Sequence, residues 1–316
     1  MLNYEAMREE LLLKGRDLLR ITDVSAEEIY RILDTAMALK RQRVGTLLAG
    51  KKLAMVFQKP SLRTRVSFEV AMTELGGHAI YLSPPEVGLG ERESPADVAR
   101  VLSRYVDCIV ARTFRQQDID SLARYATVPV INALSDEEHP CQILADLLTI
   151  YEKKGNLAGL VLAFIGDGNN VSTSLMLGAA ITGMQFRIAS PAGFEIDANS
   201  VATARKLAEN SGAKLLLTDD VRLAAKDADI LYTDVWTSMG QEEETDRRQK
   251  AFVGYQVNRE LVSLAKTDAL VLHDLPAHKG EEITAETFEA FQAVIFDQAE
   301  NRLHAQKAVL ALILGS

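Results

Sequence analysis

Two cysteines, Cys108 and Cys141, are all that the 316 residues contain. Two thiols cannot build a disulfide framework, so a reducing, cytoplasmic setting is the simplest expectation. No cluster of Cys or His at ligand spacing occurs, and no metal site is expected. No uncharged apolar run reaches the ~20 residues that a membrane span needs. The first fifteen residues carry Glu5, Glu9 and Glu10 with no apolar core of signal-peptide length. They match neither a secretory signal nor an acid-poor transit peptide. The net charge of −9 argues against nucleic-acid binding over the whole surface, while leaving room for one local basic pocket. A Gly-x-x-x-x-Gly-Lys-Ser/Thr phosphate loop is missing. A dinucleotide fingerprint is missing too, because Val171 stands where its third glycine would fall after Gly166 and Gly168. Repeats and low-complexity tracts are absent.

What is present is alternation. With 47% hydrophobic and 25% charged residues, the composition is that of an ordinary globular protein, and the length allows two domains. Leu53–Phe57, His78–Leu82, Cys108–Arg112 and Pro129–Ala133 read as strands separated by amphipathic helices. A helix follows over about Cys141–Lys154, with Pro140 suited to its first turn and Gly155 to its end. A second series begins there, with strands at Leu160–Ile165, Phe186–Ser190, Leu215–Thr218, Ile230–Asp234 and Ala269–Asp274. Such an order implies parallel sheets covered on both faces. The expected fold is α/β, two doubly wound parallel-sheet domains joined by bridging helices. The first would span 1–140, completed by a C-terminal helix at about 298–316, and the second 141–297. The run Ala299–Leu314 is apolar all round toward its end and must be buried. Gly240–Gln249 is a dense charge run, expected to be a solvated loop, a helix face or a mobile lid.

The most informative stretch is Ser61-Leu62-Arg63-Thr64-Arg65, set between a strand and a helix. Free backbone N–H groups at a helix N-terminus attract anions, and forked guanidinium and short hydroxyl donors match phosphate oxygens. A phosphate pocket is one reading; a capped surface helix with solvated arginines is the other. Further polar clusters fall where strands end, the place at which parallel α/β sheets bind ligands. They are Arg112-Thr113, His139-Pro140-Cys141-Gln142, Gly166-Asp167-Gly168-Asn169-Asn170, Asp234 to Gly240, and His273-Asp274-Leu275-Pro276.

These motifs, with DQAENRLHAQKA from Asp297 to Ala308, stand in an order and rough spacing that resemble the carbamoyltransferases from Gly15 to Leu314. SxRTR and HPxQ resemble the family broadly; DxWxSMG resembles its ornithine-specific members. The resemblance implies two α/β domains, a homotrimer or a higher assembly of trimers with sites near subunit interfaces, and no cofactor. It further implies that Ser61, Leu62, Arg63 and Thr64 hold the phosphate of carbamoyl phosphate, with Arg112, His139, Gln142 and Arg302 completing that site. Asp274 and Leu275 would face both substrates, and Asn170, Asp234, Ser238 and Met239 would bind L-ornithine. Arg112, His139, Asp234 and Asp274 would be the catalytic set.

The implied reaction needs a neutral amine, yet an alkyl amine titrates near ~10.4 and arrives protonated. Asp234 would orient it, while Arg112 and His139 would stabilise charge on the carbamoyl oxygen. Alignment and charge stabilisation would carry the rate, with no covalent intermediate. Two positions depart from the family pattern. Asp274 stands where most members have Cys, which either pairs two carboxylates on one amine or makes Asp274 the proton acceptor; the second is the expectation here. The Pro85–Glu93 loop also lacks the usual Gln near Gly88, leaving Arg92 as a candidate cross-subunit ligand or a solvated side chain. The rival functions are a carbamoyltransferase for another amine such as putrescine, a non-catalytic anion-binding regulatory homologue, and, weakest, a nicotinamide oxidoreductase.

Overall fold

In the computed structural model, the described residues are 13–41, 45–237 and 242–315. They form two compact units: one contains the described residues up to Leu148 together with those from Glu300, the other is Thr149–Ala299. Both boundaries fall inside helices, Pro140–Lys154 and Ala285–Leu314.

The first unit holds a parallel sheet of β1 (Lys52–Phe57), β2 (His78–Leu82), β3 (Cys108–Arg112) and β4 (Val130–Leu134) in the order β2-β1-β3-β4. The apolar residues of the central strands β1 and β3 are buried on both faces, as a fully covered strand demands, whereas the edge strand β2 is partly exposed, Ile80 at 38%. Ala54, Val56, Ile109 and Ala111 join one core cluster with Ile119 and Leu122 of the helix Gln116–Tyr125 and Val98 and Ala99 of the helix Pro95–Leu102. Leu53, Met55 and Phe57 alternate with these and are fully buried on the opposite side.

The second unit holds β5 (Val161–Ile165), β6 (Gln185–Ala189), β7 (Leu215–Thr218), β8 (Ile230–Thr233) and β9 (Leu270–His273), all parallel in the order β7-β6-β5-β8-β9. Ala163, Ile165, Leu231 and Val271 pack against Ala224, Val257, Phe288 and Ile295. On the other face Phe164 stacks on Tyr232, with ring centres 5.5 Å apart.

In each sheet strand order reverses at one place, between β1 and β3 and between β5 and β8. There the connecting chains diverge to opposite faces and open a crevice beyond the strand ends. The strands lie within a residue or so of their expected positions. The C-terminal helix is longer than expected, starting at Ala285, because Phe288 and Ile295 bury a stripe of an otherwise polar first half. The charge run is no bare loop over its described part: Glu242–Glu244 is a short 3-10 turn and Thr245–Ala251 a helix. Among the described residues, no helix is long and apolar enough to cross a membrane.

Candidate active site

In the first unit the crevice at β1 and β3 is lined by the SLRTR turn and Arg112. Phe57, the last residue of β1, pairs with Arg112, and Gln58 N–H donates to the Arg112 carbonyl at 2.8 Å. Ser61 caps the helix Leu62–Glu74, its hydroxyl accepting from Thr64 N–H at 3.4 Å. Leu62 is 76% exposed, so its side chain is not a packing residue in this unit. Arg63 is half-buried. Arg65 is exposed, bonded to Glu69 at 2.9 Å and lying over the Tyr81 ring at 4.0 Å.

Arg302 brings a buried charge to the same unit. Its side chain is buried, and it donates to Gln142 Oε1 at 2.6 Å and to Thr64 Oγ1 at 3.0 Å. The Gln142 amide is fixed at its other end, donating to Asp146 Oδ1 at 2.9 Å. A residue 238 positions away in sequence thus braces the hydroxyl of the SLRTR turn. His139 precedes the helix Pro140–Lys154, whose Gln142 N–H donates to the His139 carbonyl at 3.0 Å. Burial holds the His139 imidazole well below the usual histidine range, and the positive charges of Arg302 and Arg112 push it the same way. It is therefore a neutral imidazole at pH 7. Cys141 is inert: burial pushes its thiol up to about 12.

In the second unit the crevice at β5 and β8 is lined by Gly166–Asn170 and Asp234. Asn169 caps the helix Asn170–Thr182 with its side-chain oxygen, accepting from Val171 and Ser172 N–H at 3.0 Å each. Its amide donates to Asp234 Oδ2 at 2.7 Å, while Val235 N–H donates to Asp234 Oδ1 at 2.7 Å. Both Asp234 oxygens are thereby oriented in a buried position. Asn170 is the first helical residue, half-buried. Gly168 is required by close approach: a Cβ there would lie 2.3 Å from the backbone of Glu195 and Ile196. Ser238 and Met239 lie outside the described residues.

The loop after β9 is held by a buried network. Leu275 N–H donates to His273 Nδ1 at 2.9 Å, which places the ring proton on Nε2, bonded to Glu282 Oε1 at 2.9 Å. His273 N–H donates to Gln298 Oε1 at 2.9 Å, and the Gln298 amide reaches Tyr232 Oη at 3.1 Å. Leu275 sits at φ +62°, a left-handed conformation that costs a side-chain-bearing residue ~1–2 kcal/mol. Strain of this kind concentrates at functional loops. Asp274 Oδ1 lies 3.5 Å from His273 Nδ1. Atoms of Asp234, His273 and Asp274 come within 4.8 Å of one another. That trio is a poor metal site, because both His273 nitrogens are already engaged.

Sequence reasoning missed two supports. Arg248, inside the charge run, is buried: it donates to Asp167 Oδ2 at 2.6 Å and to the Trp236 carbonyl at 2.9 Å. Burial raises the Asp167 carboxyl despite that partner. Glu282 lies in a stretch where no motif was read. Asn169 was visible in GDGNN, but its bond to Asp234 was not.

Family models for the aspartate/ornithine carbamoyltransferase carbamoyl-P binding domain and Asp/Orn binding domain match residues 16–152 and 158–313. The chain belongs to this family. An anabolic ornithine carbamoyltransferase of Pyrococcus furiosus is 54% identical over 96% of this chain and 98% of the relative. An ornithine carbamoyltransferase of Anoxybacillus flavithermus is 53% identical over 98% of this chain and 99% of its own length. The solved structure of ornithine carbamoyltransferase from Pyrococcus furiosus superposes with a TM-score of 0.92 at 54% identity, covering 96% of this chain and 98% of that one. The second family model runs on to residue 313, whereas residues from Glu300 pack with the first unit. Arg302, in that stretch, touches Thr64 and Gln142.

Proposed function

We propose that this family member transfers the carbamoyl group of carbamoyl phosphate to the side-chain amine of L-ornithine, giving L-citrulline and phosphate. The observation that carries the reading is the buried Arg302 guanidinium braced on Thr64 and Gln142, beside a neutral His139 and at the N-terminus of the SLRTR helix. A pocket that rich in fixed positive donors suits a doubly charged acyl phosphate.

In this reading the amine nitrogen attacks the carbamoyl carbon, a C–N bond forms, and the C–O bond to phosphate breaks. Ser61, Arg63, Thr64, Arg112 and Arg302 hold the phosphate oxygens, with Leu62 contributing its backbone N–H. His139 and Gln142 act near the carbamoyl oxygen; His139, being neutral, donates a hydrogen bond there without adding a charge. Asp234, with Asn170, Ser238 and Met239, binds ornithine, and Asp274 accepts the proton that the amine must lose, with Leu275 placing it. The first unit carries carbamoyl phosphate and the second ornithine. The anabolic relative supports a biosynthetic direction. Assembly as a homotrimer and a cytoplasmic setting belong to the same reading; two buried free thiols, Cys108 and Cys141, suit the latter.

One observation favours a second reading. Asp234 and Asp274 place carboxylate oxygens within 4.8 Å of each other and of His273, which suits a strongly cationic acceptor such as putrescine. An assay of phosphate release from carbamoyl phosphate with either amine tests both. Ornithine should be turned over with far greater kcat/KM; a preference for putrescine, or carbamoyl phosphate binding by calorimetry without turnover, would overturn the leading reading.

A further inference from the structure

We infer that His278, Glu281 and Glu282, none of them assigned to carbamoyl transfer, form a binding site for a divalent first-row metal ion such as Zn2+. A ring nitrogen of His278 and one carboxylate oxygen each of Glu281 and Glu282 lie within 4.8 Å of one another. The His278 Nδ1 to Glu281 Oε2 separation is 3.6 Å. Two ligands at ~2.0–2.2 Å on a tetrahedral ion are about 3.4 Å apart, so this pair is near ligand spacing already.

The second observation is the Glu282 carboxylate itself. The residue is fully buried. Its Oε1 accepts from His273 Nε2 at 2.9 Å and from His278 N–H at 2.6 Å. Its Oε2 is buried and accepts no hydrogen bond. Buried carboxylate oxygens are almost always satisfied, and an orphan one calls for an ion or a water. Among the described residues, neither Glu281 nor Glu282 is paired with a Lys or Arg. The nearest lysine in sequence, Lys279, is committed to Glu289 at 2.7 Å.

The turn that carries the three residues is held by backbone and side-chain hydrogen bonds. Gly280 N–H donates to the Ile283 carbonyl at 2.8 Å, and Glu281 N–H to the His278 carbonyl at 2.9 Å. The Gln256 amide donates to the Gly280 and Glu281 carbonyls at 2.9 and 2.8 Å. The His278 and Glu281 side chains are 49% and 37% exposed, which leaves an entry path and room for water as a fourth ligand. One imidazole and two carboxylates suit Zn2+ or Mn2+ over softer ions. A bound ion would share the Glu282 carboxylate with His273, the residue that braces the Asp274 loop.

The test is titration of the full chain with Zn2+ against a chromogenic chelator, with the Co2+ visible spectrum reporting geometry. One equivalent should bind. His278→Ala and Glu281→Gln should each weaken binding more than ~tenfold, the lower end of the cost of losing even an outer-shell partner. Asp274→Asn should leave it unchanged. Circular dichroism checks that the variants are folded; both altered side chains are partly exposed, so folding is expected to survive. No saturable uptake, uptake unchanged by His278→Ala and Glu281→Gln, or uptake abolished by Asp274→Asn would each overturn the site.

Discussion

Arg302 acts as a fork, and a point charge cannot replace it. It bonds Gln142 and Thr64 with different nitrogens, so Arg302→Lys keeps the charge and loses the geometry. The expected result is a ~10²–10³-fold fall in kcat/KM for carbamoyl phosphate, the usual effect of removing a preorganised donor. Steady-state kinetics decide it, and an unmoved constant would remove Arg302 from the phosphate site. His139 makes a prediction through stability. Its pKa is depressed in the folded protein, so the unfolded chain binds the extra proton as pH falls below the ordinary histidine value of 6.5. Stability contributed by neutral His139 is then present above that value and is lost as pH drops toward the depressed one. His139→Gln should therefore flatten the decline of Tm between about pH 6.5 and 5; a parallel decline in both proteins would contradict the burial argument. Asp274 is tested by its replacement with the thiol common in the family. A thiol titrates near ~8.5 against ~3.9 for an aspartate. If Asp274 accepts the amine proton, the acid limb of the pH–rate profile of Asp274→Cys moves upward. Unchanged limbs would take Asp274 off the proton path.

At the scale of elements, the helix Thr245–Ala251 is the part whose role is least visible from composition. Its charges suggested solvent, yet Arg248 turns inward to Asp167 in the turn after β5 and to the carbonyl of Trp236 after β8. Trp236 in turn stacks on Phe252 just beyond the helix, with ring centres 5.7 Å apart. One arginine thus ties together the two turns that flank Asp234. Removing it leaves Asp167 buried without its charge partner, a change that costs ~3–5 kcal/mol where a buried pair is broken. Arg248→Met should lower the unfolding free energy extrapolated from urea titration by that amount and raise the KM for ornithine. Adding Asp167→Asn should recover much of the stability, because the stranded carboxylate is gone. Equal losses in the single and double variants would show that the pair itself is unimportant.

The whole molecule repeats one device. Each unit is an open parallel sheet with its strand order reversing once, and each places its polar turns at that reversal. The trimer is a prediction at this scale: sedimentation velocity should give a species of three times the chain mass, and a lone monomer at working concentration would refute it. The strands were legible because short apolar runs between Gly, Pro and polar turns follow directly from backbone and side-chain periodicity. So was most of the candidate site, since SLRTR, HPCQ and GDGNN are local in sequence. Arg248 was hidden because a charged residue gives no local sign of which way it points. The Asn169–Asp234 bond was hidden because it joins turns 65 positions apart. The amino-acid sequence determined the alternating elements and the polar turns that end them, because hydrogen bonding and hydrophobic spacing act over a few residues. Only the tertiary structure decided which of those turns meet, that Arg302 returns to Thr64, and that His139 is neutral, because those follow from burial and charge contributed by distant parts of the chain.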